Sequence, residues 1–85
     1  MKNSECRLSD LSDGEWGIVI ALEYMEKRKN WRQRLLDLGF IEGARVKRLF
    51  SAPSGNPSAY LISGAVIALR ASDASGITVM KYEFF

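Results

Sequence analysis

The stretch Trp31-Arg32-Gln33-Arg34-Leu35-Leu36-Asp37-Leu38-Gly39-Phe40-Ile41-Glu42-Gly43-Ala44-Arg45-Val46 constrains the fold more than any other, because it writes a helix, its stop, a turn and a strand start. Trp31, Leu35 and Leu38 recur at i, i+4 and i+7, so they share one helical face, and Leu36 widens that stripe. Asn30 stands where an N-cap belongs, with Gln33 three residues on to complete a capping box. Gly39 reads as the left-handed residue that ends the helix, with Phe40 reaching back to Leu35. Gly43 reads as the third residue of a turn that needs positive φ and re-aims the chain into a strand.

Strands account for most of the rest. From Gly17 to Tyr24, residues Ile18, Ile20, Leu22 and Tyr24 fall on one face and Val19, Ala21 and Glu23 on the other, the mark of a half-buried strand. Ala44 to about Ser51 alternates less cleanly, and a bulge between Val46 and Leu49 repairs the mismatch. Pro53-Ser54-Gly55-Asn56-Pro57 is punctuated as a loop. Ser58–Ile62 and Ala65–Arg70 make a hairpin about Ser63-Gly64, with Gly64 as its turn residue. Ser72-Asp73-Ala74-Ser75 leaves room for one tight turn before a last strand from Ile77 to about Tyr82. Five short strands and one helix predict a mainly β fold, a small barrel whose strands share one core. Alternation alone does not separate an SH3-like barrel from another five-stranded one such as an OB fold.

The order of these motifs resembles the FeoA family, the small cytosolic partners of the bacterial ferrous-iron transporter FeoB. The likeness is carried by Arg34-Leu35-Leu36-Asp37-Leu38-Gly39-Phe40-Ile41-Glu42-Gly43-Ala44-Arg45-Val46, by the opening Leu8-Ser9-Asp10-Leu11-Ser12-Asp13-Gly14-Glu15, by the loop Ala52-Pro53-Ser54-Gly55-Asn56-Pro57, and by Ile67-Ala68-Leu69-Arg70. Glu42 stands where the family usually has proline, which frees φ at that turn position without removing the need for Gly43. The resemblance implies a five-stranded SH3-like barrel with one short helix inserted after the first strand. It also implies docking on the cytoplasmic part of a FeoB-type transporter.

Chemistry is more limited than fold. The chain has no histidine, which excludes Ser-His-Asp catalysis and His-dependent zinc sites. Its ten carboxylates are scattered; Asp10 and Asp13 come closest to a pair and read as turn caps. Cys6 is alone in a polar N-terminus that reads as loose, so no internal disulfide forms. No glycine spacing matches a phosphate loop. The expectation is a non-enzyme with no cofactor and no metal site. At 85 residues the chain reads as one domain, 1–85, with its core over about 8–80. Met1–Cys6 carries no apolar signal segment, and no apolar run approaches a membrane span, so a cytoplasmic protein, monomeric or weakly self-associating, is expected.

Charge supplies the candidate site. Eight of the twelve Lys and Arg residues lie between Lys27 and Arg48, although the net charge is only +2. Lys27, Arg28 and Lys29 precede the helix, where a positive dipole end makes Lys29 unfavourable, and Arg32 follows on its exposed side. With Trp31 and Leu36 these four form the predicted docking set, which Arg45, Lys47 and Arg48 extend if they share its face. A solvated charged surface explains the same residues. The alternative function is nucleic-acid binding through the same basic patch, with Trp31 nearby, and Phe50, Tyr60, Tyr24 and Trp16 as aromatics that stack bases if exposed. The SH3-like appendage of an iron-dependent repressor shares this domain type, but the chain lacks a helix-turn-helix or metal-sensing segment.

Overall fold

The computed structural model describes residues 4–23 and 30–82. In chain order it contains β1 (Ser4–Arg7), a 3-10 turn (Leu8–Asp10), β2 (Trp16–Leu22), α1 (Trp31–Leu38), β3 (Arg45–Ser51), β4 (Ser58–Ile62), β5 (Ala65–Leu69), α2 (Ala71–Ala74) and β6 (Ile77–Tyr82). The six strands form one antiparallel sheet in the order β1-β6-β2-β3-β4-β5, open between β1 and β5 among the described residues. The expected count of five strands is therefore corrected to six. Ser4-Glu5-Cys6-Arg7 was hidden because only Cys6 packs against the core, so no apolar alternation announces it. Backbone pairing to β6, Ser4 opposite Lys81 through Arg7 opposite Thr78, makes the strand instead. Cys6 thus sits in a sheet and not in a loose end. Burial pushes its thiol pKa up and nearby Asp10 adds to the effect, both favouring the protonated thiol.

Two bulges explain where alternation misleads. Along β2 and β6, Val19 faces Val79 but Ala21 faces Thr78, so Ile20 is an extra residue. Val19 lies in the core before the bulge, and Leu22 turns back to pack against it after the bulge. Along β3 and β4 the register shifts between Arg48 and Phe50, making Leu49 the extra residue, slightly beyond the predicted place. Val46 is buried while Phe50 is thrown to the outside.

The helix ends as its sequence dictates. Gly39 has φ 111°, its N–H reaches the Leu36 carbonyl, and Phe40 N–H reaches that of Leu35, each at 3.0 Å. These two bonds are a Schellman motif, and Leu35 and Phe40 close it inside the core. Ala44 N–H then bonds the Ile41 carbonyl at 3.0 Å across a turn whose third residue, Gly43, has φ 90°. The start of the helix differs from expectation. Asn30 makes no side-chain cap, and Gln33 Nε2 instead donates to Asp37 Oδ1, one turn on, at 2.8 Å.

One apolar cluster is shared by the sheet and the helices, with Leu8, Leu11, Val19, Leu35, Phe40, Val46, Tyr60, Ile62, Ile77 and Val79 all at 2% exposure or less. Two polar devices hold its rim. Trp31, 3% exposed, donates its indole N–H to Asp73 Oδ1 of α2 at 3.0 Å, tying the two helices together. Arg48 donates through Nη1 to the Ser9 carbonyl at 3.2 Å and to that of Leu11, and through Nη2 to Ser51 Oγ at 2.7 Å, with Nε 3.1 Å from Asp13. One guanidinium thereby pins the segment between β1 and β2 onto β3.

Glu15 faces Lys81 of β6 at 2.8 Å and accepts the Ser12 N–H at 2.7 Å. The Lys81 hydrogen bond, then that of Ser12, holds its carboxyl pKa below the ordinary value of 4.5. A depressed carboxyl stabilises the fold above the unfolded-state value, and the contribution is lost as pH falls through the folded one. The expected result is that Glu15→Gln lowers the urea midpoint at pH 7, with the gap to the parent protein narrowing as pH falls below 4.5. A gap independent of pH would place the effect elsewhere.

Candidate docking surface

The predicted docking set does not assemble as one patch. Lys27, Arg28 and Lys29 lie outside the described residues, as does Tyr24. Trp31 must be withdrawn from the set: its apolar body is core and its N–H is committed to Asp73. Arg32 is exposed, and its guanidinium donates to the Leu22 carbonyl at 3.0 Å, closing the end of β2 onto α1. Leu36 is half-buried. Among the extension residues, Arg45 and Lys47 alternate with buried Val46 and so face outward, whereas Arg48 turns inward. Gly64 has φ 79° in the β4–β5 turn, beside Ser63 at φ 51°.

Strand register assembles a different surface. Directly paired residues point to the same side of a sheet. On the outward side one row therefore runs Tyr82, Trp16, Lys47, Leu61, Val66 across β6, β2, β3, β4 and β5. The neighbouring row runs Phe50, Ala59, Ala68 across β3, β4 and β5. Phe50 is 60% exposed and Val66 61%, both large apolar side chains left in water. Lys47 Nζ stands 5.6 Å over the Trp16 ring, and Trp16 and Tyr82 meet at 6.4 Å between centroids with a 42° tilt. Lys47 therefore presents its ammonium on this face, seated over an aromatic ring.

Of the aromatics singled out in the sequence, Phe50 and Trp16 lie here, and Tyr60 is buried in the core, where burial raises its hydroxyl pKa. Leu61, Val66 and Ala68 escaped notice because an apolar residue in a strand reads as core. Their signal is Ala65-Val66-Ile67-Ala68-Leu69, apolar at every position in a strand that has only one core to face. Among the described residues no three Cys, Asp or Glu side chains gather to hold a metal ion. None of the described helices is long and apolar enough to cross a membrane. The surface is equipped to recognise a partner by apolar contact and positive charge.

Six antiparallel strands around one core, with a short helix plugged in after the second, define a small β domain of SH3-like type. Comparison with known proteins narrows this. The chain belongs to the FeoA family, matching the FeoA domain over residues 6–81. It is 33% identical over 73 residues to an Fe(2+) transport protein A/Fe(2+) transporter FeoB fusion protein of Porphyromonas gingivalis, a match that covers 86% of this chain and 8% of that one. The chain thus spans less than a tenth of the length of that curated relative. The solution structure of FeoA from Chlorobium tepidum is similar with a TM-score of 0.79 and 34% identity, over 91% of this chain and 70% of that one. FeoA from Stenotrophomonas maltophilia, described as a prokaryotic SH3 domain protein and crystallised with zinc, gives 0.78 and 27%, over 86% and 87%. The family is associated with ferrous iron transport.

Proposed function

We propose that this chain is a non-enzymatic accessory of ferrous iron transport that docks on the cytoplasmic part of a FeoB-type transporter. The observation that carries the reading is the fusion relative, in which a domain 33% identical to this one is named together with the transporter in a single chain. Joining two units covalently raises their effective concentration, an advantage only where the units work in contact. The outward apolar face supports the same reading, since a surface that binds protein needs desolvated apolar area and few residues of reacting chemistry. Docking can alter nucleotide turnover, pore opening or assembly without any catalytic group of its own.

The test is a direct titration of the domain into the detergent-solubilised FeoB-type transporter of the source cell, at 50 and 300 mM salt. Saturable binding that survives the higher salt is expected, because apolar burial is not screened. Absence of saturable binding at both salts removes the proposal. Binding to RNA or DNA that collapses with salt would instead favour the nucleic-acid alternative.

A further inference from the structure

The two edges of the sheet are built differently. β1 carries Glu5 and Arg7, and Arg7 reaches across to Glu23 and the Ser75 carbonyl, so charge guards that edge. β5 has neither charge nor proline, and it pairs with β4 over five consecutive residues, Ile62 opposite Ala65 through Ser58 opposite Leu69, without a bulge. Natural sheets seldom leave a regular apolar edge bare unless a strand is added to it. Among the described residues β5 ends the sheet.

The outward face beside that edge says what kind of strand. Both rows that reach it, Lys47-Leu61-Val66 and Phe50-Ala59-Ala68, are apolar apart from the lysine. The only charges on the outward sides of β3 to β5 and at the end of β5 are Arg45, Lys47 and Arg70, all positive. The geometry points to β5 as the seat of an added strand from the transporter's cytoplasmic part, an extended segment that places apolar residues beside Val66 and Ala68 and a carboxylate toward Arg70 or Lys47. Backbone bonds to β5 supply affinity, and the two rows each lengthen by one residue, which supplies specificity. This rests on the docking reading above and adds the surface and the chemistry of the partner segment.

Hydrogen exchange of the full chain, with and without the solubilised transporter, tests it together with the affinities of Val66→Glu and Lys47→Glu. Both substitutions fall on outward positions, and circular dichroism confirms that the variants fold. The expected result is at least tenfold slower exchange in the peptide covering Ala65–Leu69 on binding, and at least tenfold weaker binding by each variant. Wild-type binding with unchanged exchange at Ala65–Leu69 and unchanged variant affinity overturns the seat but leaves docking standing. Slowed exchange that appears on concentrating the domain alone shows that the edge pairs with a second copy, which also overturns it. Failure of the wild type to bind the transporter overturns both readings at once.

Discussion

Trp31→Ala should leave much of the protein unfolded at room temperature. Truncating a buried tryptophan costs about 3–5 kcal/mol, and a domain of this length has roughly 4–13 kcal/mol in total at 0.05–0.15 kcal/mol per residue. Asp73 would also lose the indole donor while staying buried, at a further cost of about 1–3 kcal/mol. Trp31→Phe separates the two effects, since it keeps a ring in the core and removes the N–H. Combined with Asp73→Ala it forms a double-mutant cycle whose coupling energy reports the hydrogen bond itself. Urea denaturation is the measurement. If Trp31→Ala unfolds within about 0.5 kcal/mol of the parent, a threshold typical of neutral surface changes, Trp31 is not the core residue described.

Gly39→Val should be the most damaging glycine substitution tested. At φ 111° a β-branched residue is strained by about 1–3 kcal/mol wherever it stands. Here a Cβ would also lie 2.5 Å from Ser63 Oγ and 3.1 Å from Ser63 Cβ, so the helix end and the β4–β5 turn must part. Overpacking of that kind adds a further 1–3 kcal/mol or so. Gly43→Val is the control, because φ is 90° there but nothing lies within 4 Å of the added Cβ. The predicted order of denaturation midpoints is parent, then Gly43→Val, then Gly39→Val. Ser63→Gly in a Gly39→Ala background should recover part of the loss, since it removes the obstructing side chain and eases the positive φ at Ser63 itself. Equal losses at both glycines would show that the contact with Ser63 has no energetic consequence.

The fold was legible where residues act locally and obscure where pairing decides. The helix from Trp31 to Leu38, its glycine stop and the turn at Gly43 need only a few neighbouring residues, and all three stand as read. β1 was illegible because its reason for existing is β6, almost the whole chain away. The bulges at Ile20 and Leu49 cost more, since each switches which side of the sheet the following residues face. That is why Phe50, which strict alternation from buried Val46 would turn inward, lies in water. The docking set fared worst: periodicity put Trp31 on the helix face that packs inward, yet its neighbours' charges drew it into a surface patch. Apolar strand residues such as Leu61 and Val66 declare their role only once register shows that they share a face.

The place of β6 has a consequence for how the protein is made. The strand that leaves the ribosome last among the six lies between β1 and β2, the two that leave first. Until Ile77–Tyr82 is available, β1 has no partner and β2 can pair only with β3. The nascent chain therefore holds an unfinished sheet with two open sides throughout synthesis, and closure waits for contacts spanning nearly its full length, which makes folding slow for so small a domain.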